Sequence, residues 1–285
     1  MAASSVNDWM RKVEQLQLRW QRLNTGAEED AVLLKASATL QKLSEILSAR
    51  TGELDISLFL NLYSKAVLDI TFFEENQLVD EDFIRADSLE KVGELIQALS
   101  EPEHLVREAI LPLPEAPLCL EVEVCECLHW RRGALLYMYC HTVGEREHWN
   151  LRNRRIFQQC LKDGVSYLLT MLKARSPVTL NDVSFRDFSA ASLLSKGIFS
   201  DIHVLALMYC GEMCYWALKY CRDAQPINDG SERGDCLQDK SPSFQEVGEH
   251  ALETYVSVCE GPLANQGWNT EKAKDLLQYL KSSKT

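Results

Sequence analysis

The chain has 285 residues, enough to bury a substantial core in one large domain or two modest ones, and its 46% hydrophobic and 25% charged residues are the balance of a globular protein. Its 42 acidic side chains outnumber 30 basic ones, and a net charge of −12 repels phosphate backbones and anionic lipid on average, which disfavours bulk nucleic-acid binding. Met1-Ala2-Ala3-Ser4-Ser5 has neither the basic-then-apolar order of a secretory signal nor a Gly at position 2 for myristoylation; the expectation is a cytosolic protein whose ten cysteines stay reduced.

Val6, Trp9, Val13, Leu16, Trp20 and Leu23 recur three and four residues apart, which predicts an amphipathic first helix in need of a partner. Thr25 and Glu28 have capping-box spacing, and Leu33, Ala36, Leu40, Leu43 and Leu47 repeat the rhythm, completing a helical hairpin. A third helix from Asp55 to about Phe73 turns Ile56, Phe59, Tyr63, Val67 and Ile70 inward, and the acidic stretch from Glu74 to Asp82 reads as a loop. Leu89, Val92, Leu95 and Leu99 form the next stripe. Ser100 and Glu103 then offer a second capping box, with Pro102 in the first turn of a short helix that ends near Ile110.

Pro112, Pro114 and Pro117 break helical pairing and place a soft boundary between an N-terminal helical layer, residues 1–111, and a C-terminal one, 112–285, unless the two form one continuous domain. Further helices are expected near Val122 to His141, Glu147 to Lys173, Asp187 to Ser195 and Ile198 to Cys221. The last is apolar nearly all round, but Asp201, His203 and Glu212 make it a core helix rather than a membrane span. Arg222 to Ser243, with Pro226, Gly230, Gly234 and Pro242, has too little apolar surface to offset the entropy of ordering and reads as a mobile surface loop. Periodicity returns from Phe244 to Cys259, Gly261-Pro262 punctuates the chain, and Asn269 caps a last helix presenting Ala273, Leu276, Leu277 and Leu280. Strand alternation and internal repeats are missing, so the fold class is all-α, nine to ten helices in a compact array.

No two of the 13 glycines are separated by a single residue, which removes the dinucleotide fingerprint, and no pair has P-loop spacing before a Lys. Gly230 to Gly234 has Glu232 where a hydrolase elbow needs Ser. Cys-x-x-Cys and His-Glu-x-x-His do not occur. A metal- or thiol-dependent enzyme would have to use Cys125, Cys127 and His129, but residues two apart on a helix point roughly 200° from each other, so this trio converges only on extended backbone. His203, Cys210, Cys214 and Cys221 share one helical face over about 27 Å, too long for one ion, and read as a buried small-residue stripe.

Charge is unevenly spread. Glu74 to Glu94 holds eight acidic and two basic residues, Arg131 to Lys162 seven basic and two acidic. Arg131, Arg132, Arg152, Arg154 and Arg155, near Trp130 and Trp149, suit an acidic partner or, as an alternative function, peripheral contact with anionic headgroups; equally, they form a solvated face answered by the acidic segment.

Several strings carry a resemblance. They are Phe73-Glu74-Glu75-Asn76, Leu78-Val79-Asp80-Glu81-Asp82-Phe83, Trp130-Arg131-Arg132-Gly133-Ala134-Leu135-Leu136-Tyr137-Met138-Tyr139-Cys140-His141, Gly197-Ile198-Phe199-Ser200-Asp201-Ile202-His203, Gly211-Glu212-Met213-Cys214-Tyr215-Trp216 and Tyr255-Val256-Ser257-Val258-Cys259-Glu260-Gly261-Pro262-Leu263. From about Ala31 to Leu280 the chain resembles a small family, the accessory subunits of the Mon–Ccz guanine-nucleotide exchange complex that interact with the late-endosomal Rab GTPase. The resemblance implies a non-catalytic adaptor that needs no cofactor. It would bind the Rab in its GDP-bound form together with the Mon–Ccz exchange complex, and support Rab recruitment and stability at damaged mitochondria or late endosomes. Phe73, Glu74, Glu75, Asp80, Glu81, Asp82, Trp130, Arg131 and Arg132 are the candidate partner-binding residues, because acidic and aromatic-plus-Arg chemistry is favoured at interface anchors.

Overall fold

A computed structural model of the chain describes residues 3–25, 30–48, 55–110, 120–146, 154–175, 200–221 and 243–282. Among these described residues there are nine helices and no strand. The three prolines at 112, 114 and 117, the helix expected from Asp187 to Ser195 and the loop expected from Arg222 lie outside them, apart from Ser243.

The first apolar stripes form α1 (Ala3–Asn24) and α2 (Ala31–Ser48), packed on each other as a hairpin. Trp9, Val13 and Leu16 are buried, and the Trp20 indole N–H donates to the Leu33 carbonyl at 2.8 Å. The cap of α2 differs from expectation. Asp30 stands directly before the helix and its Oδ1 accepts from the Val32 and Leu33 N–H groups, whereas the Thr25 hydroxyl donates to the Arg22 carbonyl at the end of α1; Glu28 lies outside the described residues.

Helix α3 (Ile56–Asp80) starts at Asp55, whose carboxylate accepts from the Leu58 N–H, and packs against α1 and α2. Its inward face carries Phe59, Leu60, Tyr63, Ala66, Val67 and Ile70, and Phe59 stacks on Trp9 with centroids 4.7 Å apart. By length and composition α3 could cross a membrane, but these side chains are spent on a protein core. Of the expected loop from Glu74 to Asp82, only Glu81 and Asp82 lie in a turn; residues 74–80 are two further turns of this helix, because Glu75 and Leu78 continue the buried face. Helix α4 (Ser88–Ile110) also overrides its local signals. It runs unbroken through Pro102, with the Ser100 hydroxyl donating back to the Ile96 carbonyl instead of capping a new helix. A mid-helix proline costs about 3 kcal/mol; Leu99, Leu105 and Ala109, all buried, lie on both sides of it.

Helix α5 (Val122–Gly144) begins where Asn61 of α3 accepts a hydrogen bond from the Glu121 N–H at 3.0 Å. The chain forms two compact units, Met1–Arg132 and Gly133–Thr285, and α5 contributes to both. In the second unit α7 (Asp201–Cys221) packs against α6 (Arg154–Lys173), α8 (Phe244–Glu260) and α9 (Glu271–Ser282). Residues 147–153, expected to open α6, lie outside the described set. His203 caps a helix: buried, its Nδ1 accepts from the Ser200 N–H at 3.1 Å at the start of α7. Cys210 and Cys214 are buried thiols, and burial pushes the Cys214 pKa up. Asn269 accepts from the Glu271 N–H at the start of α9, as expected, and Ser243 caps α8 through the Glu246 N–H.

The α7–α8 contact is close because glycine lies on both sides of it. A Cβ at Gly211 would collide with Leu252, and one at Gly248 would stand 2.7 Å from Cys214 Cβ and 2.9 Å from Leu280 Cδ1. Gly248→Ala is therefore expected to lower stability by roughly 1–3 kcal/mol through overpacking. The measurement is a lower urea midpoint at unchanged slope. Gly93→Ala in α4, where nothing lies within 4 Å, should leave the midpoint level or raise it.

Candidate partner-binding surface

The candidate residues come from the last turns of α3 and the middle of α5, and helical periodicity divides them. Along α3, Thr71, Glu75 and Leu78 face inward, Phe73 and Glu74 are half-buried, and Phe72, Asn76, Gln77 and Asp80 face solvent. Asp80, Glu81 and Asp82 are exposed together at the helix end.

That end is closed by a left-handed turn. The Asp82 N–H donates to the Val79 carbonyl and the Phe83 N–H to the Leu78 carbonyl, the double bond of a Schellman motif, which usually has glycine at the position Asp82 occupies. Asp82 and Phe83 have φ of 50° and 51°. An L residue in this region costs about 1–2 kcal/mol. The turn puts the Phe83 side chain into the core, at 3% exposure, and leaves the three carboxylates outside. Glu81 makes a long ion pair to Arg85 at 4.0 Å, between two exposed side chains.

The other charged candidates are engaged within the N-terminal unit. Glu74 is paired with Arg19 of α1 at 2.8 Å, and burial pushes its carboxyl upward against that pairing. Two adjoining clefts of ≈550 and ≈520 Å³ between α1, α3 and α4 share Arg19, Leu23, Glu74 and Glu94 in their walls. Glu75, expected on the surface, is buried. Arg131 Nε donates to its Oε2 at 2.7 Å, and burial raises its pKa while Arg131 opposes the shift. Arg131 also donates to the Leu68 carbonyl at 3.1 Å, and its guanidinium lies 5.1 Å from the centroid of the Phe72 ring.

Arg132 is turned inward, at 2% exposure, a correction to its placement on a surface. Its Nη1 and Nη2 donate to the two oxygens of Glu103, each at 3.0 Å, and further bonds reach Ser100 Oγ and the Leu128 carbonyl. His129 Nδ1 accepts from Arg132 Nη2, so Nε2 carries the proton that His129 donates to Glu103 Oε1 at 2.9 Å. Together Arg132 and His129 hold the Glu103 carboxyl down at about 2, against the burial that would raise it. The Ser100–Glu103 spacing was the sequence signal for this cluster, although it suggested a cap.

The Cys125, Cys127 and His129 trio does not converge. α5 is helical throughout, His129 uses both ring nitrogens on Arg132 and Glu103, and burial pushes the Cys127 thiol up, away from thiolate. Among the described residues no group of three His, Cys, Asp or Glu could hold a metal ion. Of the remaining basic segment, Arg155 is exposed, Arg154 is half-buried, and Trp149 and Arg152 lie outside the described residues; Trp130 is half-buried.

Comparison with known proteins adds a family. A family model described as RAB7A-interacting MON1-CCZ1 complex subunit 1 matches residues 32–281. The Homo sapiens protein of that name is 51% identical over 289 residues, covering 98% of both chains. Those of Mus musculus and Danio rerio are 48% and 43% identical, covering 98% and 95% of both chains respectively. No solved structure matches.

The Glu103 cluster generates a pH prediction. A carboxyl whose folded pKa lies below its ordinary value near 4.5 contributes stability that is fully present above pH 4.5 and is lost as the pH falls toward about 2. Glu103→Ala leaves the Arg132 guanidinium without its carboxylate, at a cost of roughly 3 kcal/mol. Urea midpoints measured from pH 7 down to pH 2.5 should show that loss near neutrality and a shallower acid slope than wild type.

Proposed function

Because the chain belongs to the family of RAB7A-interacting MON1-CCZ1 complex subunits 1, we propose that it is a non-catalytic adaptor, binding a RAB7A-type GTPase and the MON1–CCZ1 complex. In this reading the adaptor takes the GTPase in its GDP-bound form, nucleotide exchange is the work of the partner subunits, and the chain promotes GTPase recruitment and stability. It acts from the cytosol, at late endosomes and at mitochondria marked for mitophagy. No role for nucleic acid is included, and membrane contact is at most peripheral.

One observation carries the choice of surface. Of the acidic candidates, Asp80, Glu81 and Asp82 alone stand exposed together, held at a fixed angle by the left-handed turn at Asp82 and Phe83. Glu75, Glu103, Arg131 and Arg132 are occupied in binding α5 to α3 and α4, which leaves them scaffold rather than contact. Exposed carboxylates gain little from folding, so the charges of Asp80 and Glu81 can select a basic partner and speed its encounter.

The test is a pulldown of GDP-loaded against GTP-loaded RAB7A, with and without purified MON1–CCZ1, on wild type and on a combined Asp80→Lys, Glu81→Lys, Asp82→Lys variant. Wild type should recover more of the GDP-loaded form. The variant, whose substituted side chains are exposed and should not unfold the chain, should recover at least tenfold less of one partner, with a weaker dependence on salt. Equal recovery of both partners by wild type and variant would discard this surface, and failure of wild type to retain either would discard the adaptor reading.

A further inference from the structure

The second unit contains a cavity of ≈220 Å³ whose walls include His141, Phe157, Glu212, Trp216, Tyr220 and Lys272. Its chemistry is lopsided. The rings come from α5, α6 and α7, and the carboxylate of Glu212 is almost entirely withdrawn from water, at 3% exposure. Glu212 Oε2 accepts from the Tyr137 hydroxyl at 3.0 Å, and Oε1 is met by Lys272 Nζ at 2.8 Å. Tyr137 is itself stacked on Tyr209 at 3.7 Å and on Trp216 at 5.4 Å, so the carboxylate stands at the edge of an aromatic cluster. Aromatic faces carry negative potential, and combined with a desolvated carboxylate they attract an alkylammonium ion.

The chain already shows that attraction twice. Lys272 brings its ammonium to the carboxylate, and the Lys219 ammonium lies 5.0 Å from the ring centroid of Tyr220 and 5.4 Å from that of Tyr215, both wall residues. Neither lysine is built in. The Lys272 side chain is 57% exposed and reaches Glu212 from the first turn of α9, which is held to the core by Ala273 and Leu280 instead. A water molecule takes roughly 30 Å³, so the cavity has room for several carbons beside the ammonium.

The geometry points to this cavity as a binding site for a lysine-type alkylammonium, on a small amine or on a protein side chain, with Lys272 as the tethered group it displaces. Glu212 takes the N–H of the incoming ammonium and the rings of Trp216 and Tyr220 take its methylenes. A tethered competitor acts at high effective concentration, so wild type binds weakly and release of Lys272 opens the site.

The experiment is rescue of Lys272→Ala by exogenous amine at constant ionic strength, read as the thermal midpoint. n-Butylammonium should raise the midpoint of Lys272→Ala saturably, sodium and 1-butanol should not, and wild type should need at least tenfold more amine for the same shift. In Lys272→Ala with Glu212→Gln the response should vanish. If Lys272→Ala does not fold alone, recovery of folded protein with n-butylammonium present is the readout. N-acetyl-lysine methylamide distinguishes the sources: tighter capture than n-butylammonium indicates a protein lysine, weaker capture a free amine, and either outcome retains the site. No rescue, equal rescue by sodium or 1-butanol, or equal response in the double variant overturns it.

Discussion

Two adjacent guanidinium groups on α5 set conditions that the rest of the N-terminal unit has to meet. Arg131 and Arg132 are consecutive, so helix geometry sends them about 100° apart, one toward α3 and the other toward α4. A guanidinium has five donors and no way to shed its charge, and burying one without a carboxylate is prohibitive. Arg131 is answered by Glu75 and the Leu68 carbonyl of α3, Arg132 by Glu103 and Ser100 of α4. Each answer requires its helix to persist where local signals would end it: α3 past Phe73, and α4 past Ser100 and Pro102. Two departures from local preference thus share one cause.

The same pairing sorts the charged residues by role. Glu75 is buried and Glu103 half-buried against the arginines, whereas Asp80 at the end of α3 and Glu81 and Asp82 in the turn after it are exposed, Asp82 on backbone that is itself strained. Strain of this kind persists only where the surroundings over-determine it. Here the buried Phe83 ring and the two bonds to Val79 and Leu78 do so. The acidic surface proposed as the partner contact therefore has a fixed geometry beside a consolidated polar interior.

The second unit solves a similar problem less rigidly. Glu212 is as deeply buried as Arg132, but one of its partners is Lys272, a side chain more than half exposed on a long flexible stem. Lysine shares its charge as a mobile point, while arginine commits a planar fork. Where the arginines of α5 fasten helices to one another, Lys272 closes a small aromatic cavity with a group that can leave.

The sequence by itself determined the helical class and the apolar stripes, since Trp9, Val13, Phe59, Tyr63, Leu95 and Leu99 repeat at helical spacing and are buried as that spacing requires. It also carried the family, because strings such as Trp130 to His141 are far more specific than periodicity. Only the tertiary structure decided where α3 ends, that Pro102 lies within a helix, that Asp30 and not Thr25 caps α2, and which charges face outward. Periodicity reports the apolar face of a helix through neighbours three and four residues away. The fate of a charge instead depends on a partner 29 residues away, as for Arg132 and Glu103, or 56 away, as for Arg131 and Glu75, and on whether folding brings the two together before water can hold them apart.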